Sequence, residues 1–127
     1  MGLIYTYLLN GSLLEVITSE GSHGHRNEDL IIDEFIHQIK VFKPETILWM
    51  VDSQTSLGLD NLMRLCSSLV EFDFINRIAY VPLQIPTNHS VRNYALVKRM
   101  LAYTIEAEVF YDELDAREWL EMVPSIN

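Results

Sequence analysis

The spacing of hydrophobic and polar residues predicts two strands at the start of the chain. Residues 3–9 and 12–18 are rich in β-forming side chains, and Asn10-Gly11 between them is typical of a tight hairpin turn because both positions tolerate positive φ. Residues 19–26 are small and polar without any period, which predicts a loop. The chain is therefore expected to open with an antiparallel hairpin followed by a loop.

A first helix and a central strand are predicted next. Apolar residues recur at helical spacing after Asn27, a suitable N-cap, and Pro44 ends the pattern. Residues 46–51 are continuously apolar, with no polar alternation, as is typical of a strand covered on both faces. The apolar positions of the helix are Ile31, Ile32, Phe35, Ile36, Ile39 and Phe42.

The second half of the chain repeats the alternation of helix and strand. A stripe from Leu59 to Val70 predicts a second helix with Cys66 on its buried face. Residues 77–81 predict a buried strand that Pro82 ends. Further elements are a third helix through Val91, Tyr94, Ala95, Lys98, Leu101 and Ile105, a strand at residues 107–111, and a final helix capped by Asp112 that carries Leu114, Trp119 and Leu120.

This order predicts the α/β class, with one domain spanning residues 1–127. Strands that helices separate pair in parallel through right-handed crossovers, whereas the strands of the opening hairpin pair antiparallel. The expected sheet is therefore mixed: an antiparallel N-terminal hairpin joined to parallel β-α-β units, with helices packed against it.

The element order, with an opening hairpin and a central strand that ends at Asp52, resembles the SpoIIAA-like or STAS-type family. The closing segment, residues 109–120, reads VFYDELDAREWL. It is similar to the strand, acidic turn and Trp-Leu helix of the SpoIIAA-like subgroup that is related to CRAL-TRIO lipid-binding folds. The resemblance implies a SpoIIAA-like/STAS topology. It also implies a non-enzymatic module that acts through protein partners or, in some relatives, holds a small apolar ligand.

Phosphorylatable members of this family carry an Asp-Ser-Ser-Gly-Leu-like motif where the helix begins after the central strand. This chain has the same residue types at a broken spacing, and Thr55 and Ser56 are the nearest positional equivalents. The simpler interpretation is that serine and threonine here cap the free N–H groups of the helix. A helix N-terminus at the carboxyl end of a strand also favours anions. The predicted phosphorylation or anion-binding surface comprises Asp52, Ser53, Thr55, Ser56 and Gly58.

Charge narrows the range of partners. Eighteen acidic residues against nine basic ones give a net charge of −9, which repels nucleic acid and anionic membrane surfaces. No apolar run approaches the ~20 residues that span a bilayer, and the start of the chain lacks the positive flank of a signal peptide, so a cytoplasmic protein is expected. Against this acidic background His89, Arg92, Lys98 and Arg99 predict a docking face for an acidic partner or a second copy. The alternative is a solvated helix face.

Other candidate chemistry is weaker. His23 and His25 form a His-x-His pair that could bind zinc or nickel if a third ligand joined it. Cys66 on an apolar stripe is typical of an inert core residue. No catalytic residue, metal or cofactor is therefore predicted, and an apolar edge strand favours a homodimer. The leading hypothesis is a non-catalytic regulatory or protein-interaction module. Its alternatives are a carrier of a small apolar ligand and, more weakly, a metal-dependent enzyme that uses the two histidines.

Overall fold

The structure confirms the α/β class. It is a computed structural model, and it describes residues 2–21, 28–52, 59–82, 95, 97–101 and 104–121. The strands are β1 (Gly2–Asn10), β2 (Leu13–Gly21), β3 (Thr46–Asp52), β4 (Arg77–Pro82) and β5 (Glu106–Val109). The helices are α1 (Glu28–Phe42), α2 (Leu59–Leu69), α3 (described at residues 95 and 97–101) and α4 (Glu113–Glu121).

The strands form one sheet in chain order, β1-β2-β3-β4-β5. The four strands β2 to β5 run parallel to their neighbours, while β1 runs antiparallel to β2. Each parallel step moves one place along the sheet in the same direction. Because such crossovers are right-handed, they place α1, α2 and α3 on one face of the sheet.

The larger core lies on that face. Phe35 of α1, Leu65 of α2 and Leu101 of α3 pack over Trp49 and Ile78 of the sheet, and all five side chains are buried. The helical period thus directs one apolar stripe from each helix onto the sheet. The central strand β3 contributes to both faces, since its alternate residues Leu48 and Met50 belong to a second core on the opposite side.

On the opposite face α4 alone covers the middle of the sheet among the described elements. Ala116 and Leu120 of α4 are buried against Leu48, Ala79 and Val81. Helices therefore cover both faces of β3 and β4, which explains why the sequences of these two strands are continuously apolar. No helix among the described residues combines the length and the apolar character needed to cross a bilayer.

Several predicted boundaries differ from the structure. Strand β2 continues to Gly21, so the first three residues of the loop predicted at residues 19–26 pair with β1 instead. The first turn is Gly11-Ser12, not Asn10-Gly11, because Gly11 alone of these residues has a positive φ, 65°, while Asn10 remains in β1. Strand β4 ends at Pro82, as predicted, but Pro82 is itself the last paired residue, opposite Val51, so the strand is one residue longer than predicted. Strand β5 spans Glu106–Val109, so the predicted strand at residues 107–111 is displaced toward the N-terminus.

Candidate functional site

A cleft opens on the sheet face that carries α2 and α3. Its enclosed volume is about 20 Å³, and about 410 Å³ when the open space in front of it is included. The sheet supplies the floor through Trp49, Ile78 and Tyr80, and α2 supplies a wall through Leu65 and Cys66. The remaining lining residues are Leu69, Val97, Lys98, Ala107, Glu108 and Val109. Almost the whole interior is apolar, so the cleft suits an apolar occupant.

The cleft exists because β5 presents a small side chain beside larger ones. Ala107 lies opposite Ile78 in the parallel register of β4 and β5. Its methyl group leaves space over the edge of the sheet that a larger residue would fill. The rings of Trp49 and Tyr80 define the deep end, with centroids 5.0 Å apart and planes tilted by 58°. This aromatic floor favours flat or ring-containing groups.

Cys66 lies in this lining and is buried, as the apolar stripe of α2 predicted. Burial raises the pKa of its thiol to about 11. The thiol therefore stays protonated at neutral pH. Because the thiolate is the nucleophile and the metal ligand, Cys66 supplies apolar surface to the cleft rather than reactivity.

An ion pair lies at the mouth of the cleft. Nζ of Lys98 on α3 lies 2.9 Å from Oε1 and 3.0 Å from Oε2 of Glu108 on β5. This pair ties α3 to the edge strand. Lys98 is exposed but its charge is matched by an acid, and Arg99 is exposed beside it. The other two members of the predicted docking face, His89 and Arg92, lie outside the described residues.

The carboxyl edge of the sheet carries the second notable surface. Strands β3, β4 and β5 are parallel, so their last residues, Asp52, Pro82 and Val109, all lie toward this end of the sheet. Just beyond β5, Tyr111 and Leu114 are each 69% exposed. Asp52 is the one member of the predicted phosphorylation or anion-binding surface that the structure describes. Ser53, Thr55, Ser56 and Gly58 lie outside the described residues.

The start of α4 fixes the position of this surface. Oδ1 of Asp112 accepts a hydrogen bond of 2.8 Å from the backbone N–H of Leu114. Asp112 is thus the N-cap that the sequence predicted, and it anchors the first turn of the helix. Leu114 was predicted only as an apolar helix position and Tyr111 as a strand residue. Tyr111 lies beyond the end of β5, and Leu114 is exposed because α4 buries Ala116 and Leu120 instead. The hydrophobic pattern located neither feature.

Several charged side chains hold the helices in place. Arg64 of α2 forms an ion pair with Asp33 of α1. Arg117 of α4 binds Glu15 of β2, and its Nε also lies 2.9 Å from Glu113 one turn earlier in α4. These charges serve to join elements of the fold rather than to form an open polar site.

The structure does not describe the histidine pair that was predicted as a possible metal site. His23 and His25 lie outside the residues that the structure covers. Within the described ranges, no three His, Cys, Asp or Glu side chains come together in a way that could hold a metal ion.

Comparison of this chain with known proteins does not indicate a function. Neither a scan against protein-family models nor a search of curated proteins found a match to this chain. Among the described residues, the apolar cleft and the exposed pair Tyr111 and Leu114 are the two features on which a functional proposal can rest.

Proposed function

We propose that this chain is a non-catalytic regulatory or protein-interaction module of SpoIIAA-like/STAS topology. The observation that carries the proposal is the exposure of Tyr111 and Leu114 at the carboxyl edge of the sheet, 69% for each side chain. Large apolar side chains exposed close together are typical of interaction sites, and tyrosine is enriched among the residues that dominate binding energy.

The neighbourhood of these residues supports the same role. Val109 at the end of β5 is level with Trp49 of β3, and Asp52 lies three residues further along β3. With strands about 4.8 Å apart and a rise of about 3.3 Å per residue, Asp52 is roughly 14 Å from the end of β5. A protein that covered Tyr111 and Leu114 and extended by this distance along the same end of the sheet would also reach the end of β3. Phosphate on Thr55 or Ser56 would add negative charge to the chain just after β3, and we propose that this charge regulates the module.

The test is a double substitution at the proposed surface, Tyr111→Ser with Leu114→Ser. Because both side chains are exposed, we expect the folding stability to change by less than about 1 kcal/mol. Binding to a partner should weaken by about tenfold to hundredfold. The partner would be found by quantitative affinity enrichment from a cell extract, and its affinity would then be measured with both purified proteins.

A matched control changes two exposed apolar residues elsewhere. Leu30 and Val41 on α1 are 59% and 57% exposed, so Leu30→Ser with Val41→Ser removes similar area from another surface. This control should bind like the unmodified protein. If the partner bound equally well to the Tyr111 and Leu114 variant, or if no protein were enriched at all, the proposed surface would be wrong.

The apolar cleft favours a second function, the carriage of a small apolar ligand. Its lining is apolar, but its enclosed volume is only about 20 Å³, against roughly 300–1,000 Å³ for typical ligand sites, so a bound ligand would have to widen the cleft or lie largely in its open mouth. A neutral ligand suits it best. Among the described residues, the only charged ones in its lining are Lys98 and Glu108, which already neutralise each other, and a charged ligand would compete with that pair.

Native mass spectrometry of the purified protein tests the carrier function. We expect a bound mass that is lost on denaturation, and we expect Ala107→Leu to remove it because the larger side chain fills the space over β5. The control Ala95→Leu makes the same change at an exposed position of α3 and should retain the ligand. Protein with no bound mass, which also fails to bind an added apolar fluorophore, would exclude the carrier function.

A further inference from the structure

Strand β1 forms one edge of the sheet, and its outer side has no neighbouring strand among the described residues. It is nine residues long, GLIYTYLLN, and it contains neither a charged residue nor a proline. Proteins normally protect an edge strand with charges, prolines, bulges or short length, because its unpaired backbone groups can pair with another strand. None of these sequence features protects β1.

The register of the hairpin shows which backbone groups point outward. Asn10 pairs with Leu13 directly before the turn, and the pair that closes such a turn exchanges backbone hydrogen bonds. In an antiparallel ladder the bonded pairs alternate with non-bonded pairs. Even-numbered residues of β1 therefore bond to β2. The N–H and C=O groups of Leu3, Tyr5, Tyr7 and Leu9 point to the open edge.

The sequence of β1 is nearly symmetric about Thr6. Residues at equal distances on either side are alike: Tyr5 and Tyr7, Ile4 and Leu8, Leu3 and Leu9. Two identical antiparallel strands related by a two-fold axis through Thr6 would pair each of these residues with its counterpart. Pairs of aromatic, β-branched and threonine residues are the cross-strand neighbours that stabilise sheets. A two-fold interface also requires a self-complementary surface, and this sequence provides one.

The hydrogen-bond pattern permits this axis. With Thr6 facing Thr6 of the second copy as a non-bonded pair, the flanking pairs must exchange hydrogen bonds. Those flanking residues are Tyr5 with Tyr7 and Leu3 with Leu9, whose backbone groups are the ones that point outward. The arrangement would form about eight backbone hydrogen bonds across the axis.

We propose that β1 pairs antiparallel with β1 of a second copy of this chain, centred on Thr6, and so joins two five-stranded sheets into one. The partner we propose is a second copy because an identical strand pairs like with like at every position from Leu3 to Leu9. Each chain carries a net charge of −9, so the copies repel at long range, and salt should strengthen the dimer by screening this repulsion. The inference does not depend on the surface formed by Tyr111 and Leu114.

A charge exchange at the axis tests both the dimer and its register. Thr6→Lys would place two lysines opposite each other and Thr6→Glu two glutamates, and like charges directly opposite destabilise a sheet. Each variant alone should be monomeric, whereas their mixture should form a heterodimer. Ile4→Lys faces residue 8 of the partner strand, so its mixture with Thr6→Glu should give less heterodimer than the matched mixture. Sedimentation velocity and native mass spectrometry would measure these masses.

The unmodified protein should have twice the 14.7 kDa mass of one chain at micromolar concentration. A second variant, Tyr7→Pro, removes an outward N–H but no bond to β2, so it should also give a folded monomer. Circular dichroism would confirm folding of each variant. The proposal is overturned if the unmodified protein is monomeric at about 100 µM, or if folded variants at Thr6 and Tyr7 dimerise unchanged. Tyr111→Ser with Leu114→Ser should leave the dimer intact, which separates this proposal from the proposed partner surface.

Discussion

Replacing Phe35 by alanine is expected to lower the free energy of unfolding by about 4 kcal/mol. Phe35 is only 2% exposed, and its ring meets Trp49 edge-on with centroids 5.4 Å apart and planes at 82°. Alanine would remove these contacts and leave a cavity between α1 and β3. Since domains of this size are stable by about 5–15 kcal/mol in total, the loss would be a large share of the stability.

Urea unfolding followed by circular dichroism would measure this change, with an expected shift in midpoint of roughly 2 M. The control is Leu30→Ala on the same helix, where the side chain is exposed and the change should be within about 0.5 kcal/mol. A loss below about 1 kcal/mol for Phe35→Ala would contradict the packing of α1 over β3. Because Trp49 also contacts Tyr80, the variant should loosen the floor of the cleft as well.

The core elements could be predicted because buried positions are apolar and recur in the sequence at the spacing of a helix or a strand. The continuous apolar run that begins at Thr46 indicated a strand covered on both faces, and β3 indeed contributes to both cores. The stripe of α2 placed Cys66 on the buried face, where it lies. Lys43 has a φ of 49°, and with Pro44 it ends α1 where the sequence predicted.

The end of β5 could not be predicted in the same way. Val109, Phe110 and Tyr111 are all typical strand residues, so the pattern alone gave no reason to stop the strand at Val109. Tertiary structure sets the end of β5: Val109, opposite Tyr80, is the last residue paired with β4, and three residues later Asp112 caps α4. The exposure of Tyr111, on which the proposed interaction surface rests, is a consequence of this tertiary constraint.

The cleft and its ion pair could not be predicted from the sequence either. Lys98 and Glu108 are ten positions apart on different elements, and no local spacing rule joins a helix to the following strand. The sequence singled out Lys98 as part of a basic docking face, whereas the structure pairs its charge with an acid. The hydrophobic pattern of a single helix or strand thus predicts which of its residues are buried. It does not predict which charges meet once the elements pack.

Arg77 is the clearest case of a residue whose role depends on assembly. The sequence identified it only as the first residue of a buried strand. In the structure it is 7% exposed, and its Nη1 donates a 2.7 Å hydrogen bond to the backbone oxygen of Trp119, 42 positions away on α4. The guanidinium also lies 5.2 Å from the centre of the Trp119 ring, and its Nε lies 3.3 Å from Oε2 of Glu106. One side chain therefore attaches α4 to β4 and β5.

Replacing Arg77 by alanine should therefore cost about 3 kcal/mol of stability and release α4 from the sheet. The loss combines an unpaired Trp119 carbonyl, a lost cation–π contact and the cavity left by the side chain. Urea unfolding would measure the stability. The chain has two tryptophans, so Trp119 fluorescence in a Trp49→Phe background would report the movement of α4 through a red shift.

Two further variants test whether Arg77 stabilises the fold through its contact with α4 or through its ion pair with Glu106. Arg99→Ala removes an exposed arginine and should cost less than about 0.5 kcal/mol. Glu106 is 64% exposed in its ion pair with Arg77, so Glu106→Gln should cost less than about 1 kcal/mol. A cost for Glu106→Gln equal to that for Arg77→Ala would contradict the assignment, because it would place the stabilisation in the ion pair rather than in the contact with α4. The expected order of costs places the attachment of α4 at the Trp119 carbonyl and ring.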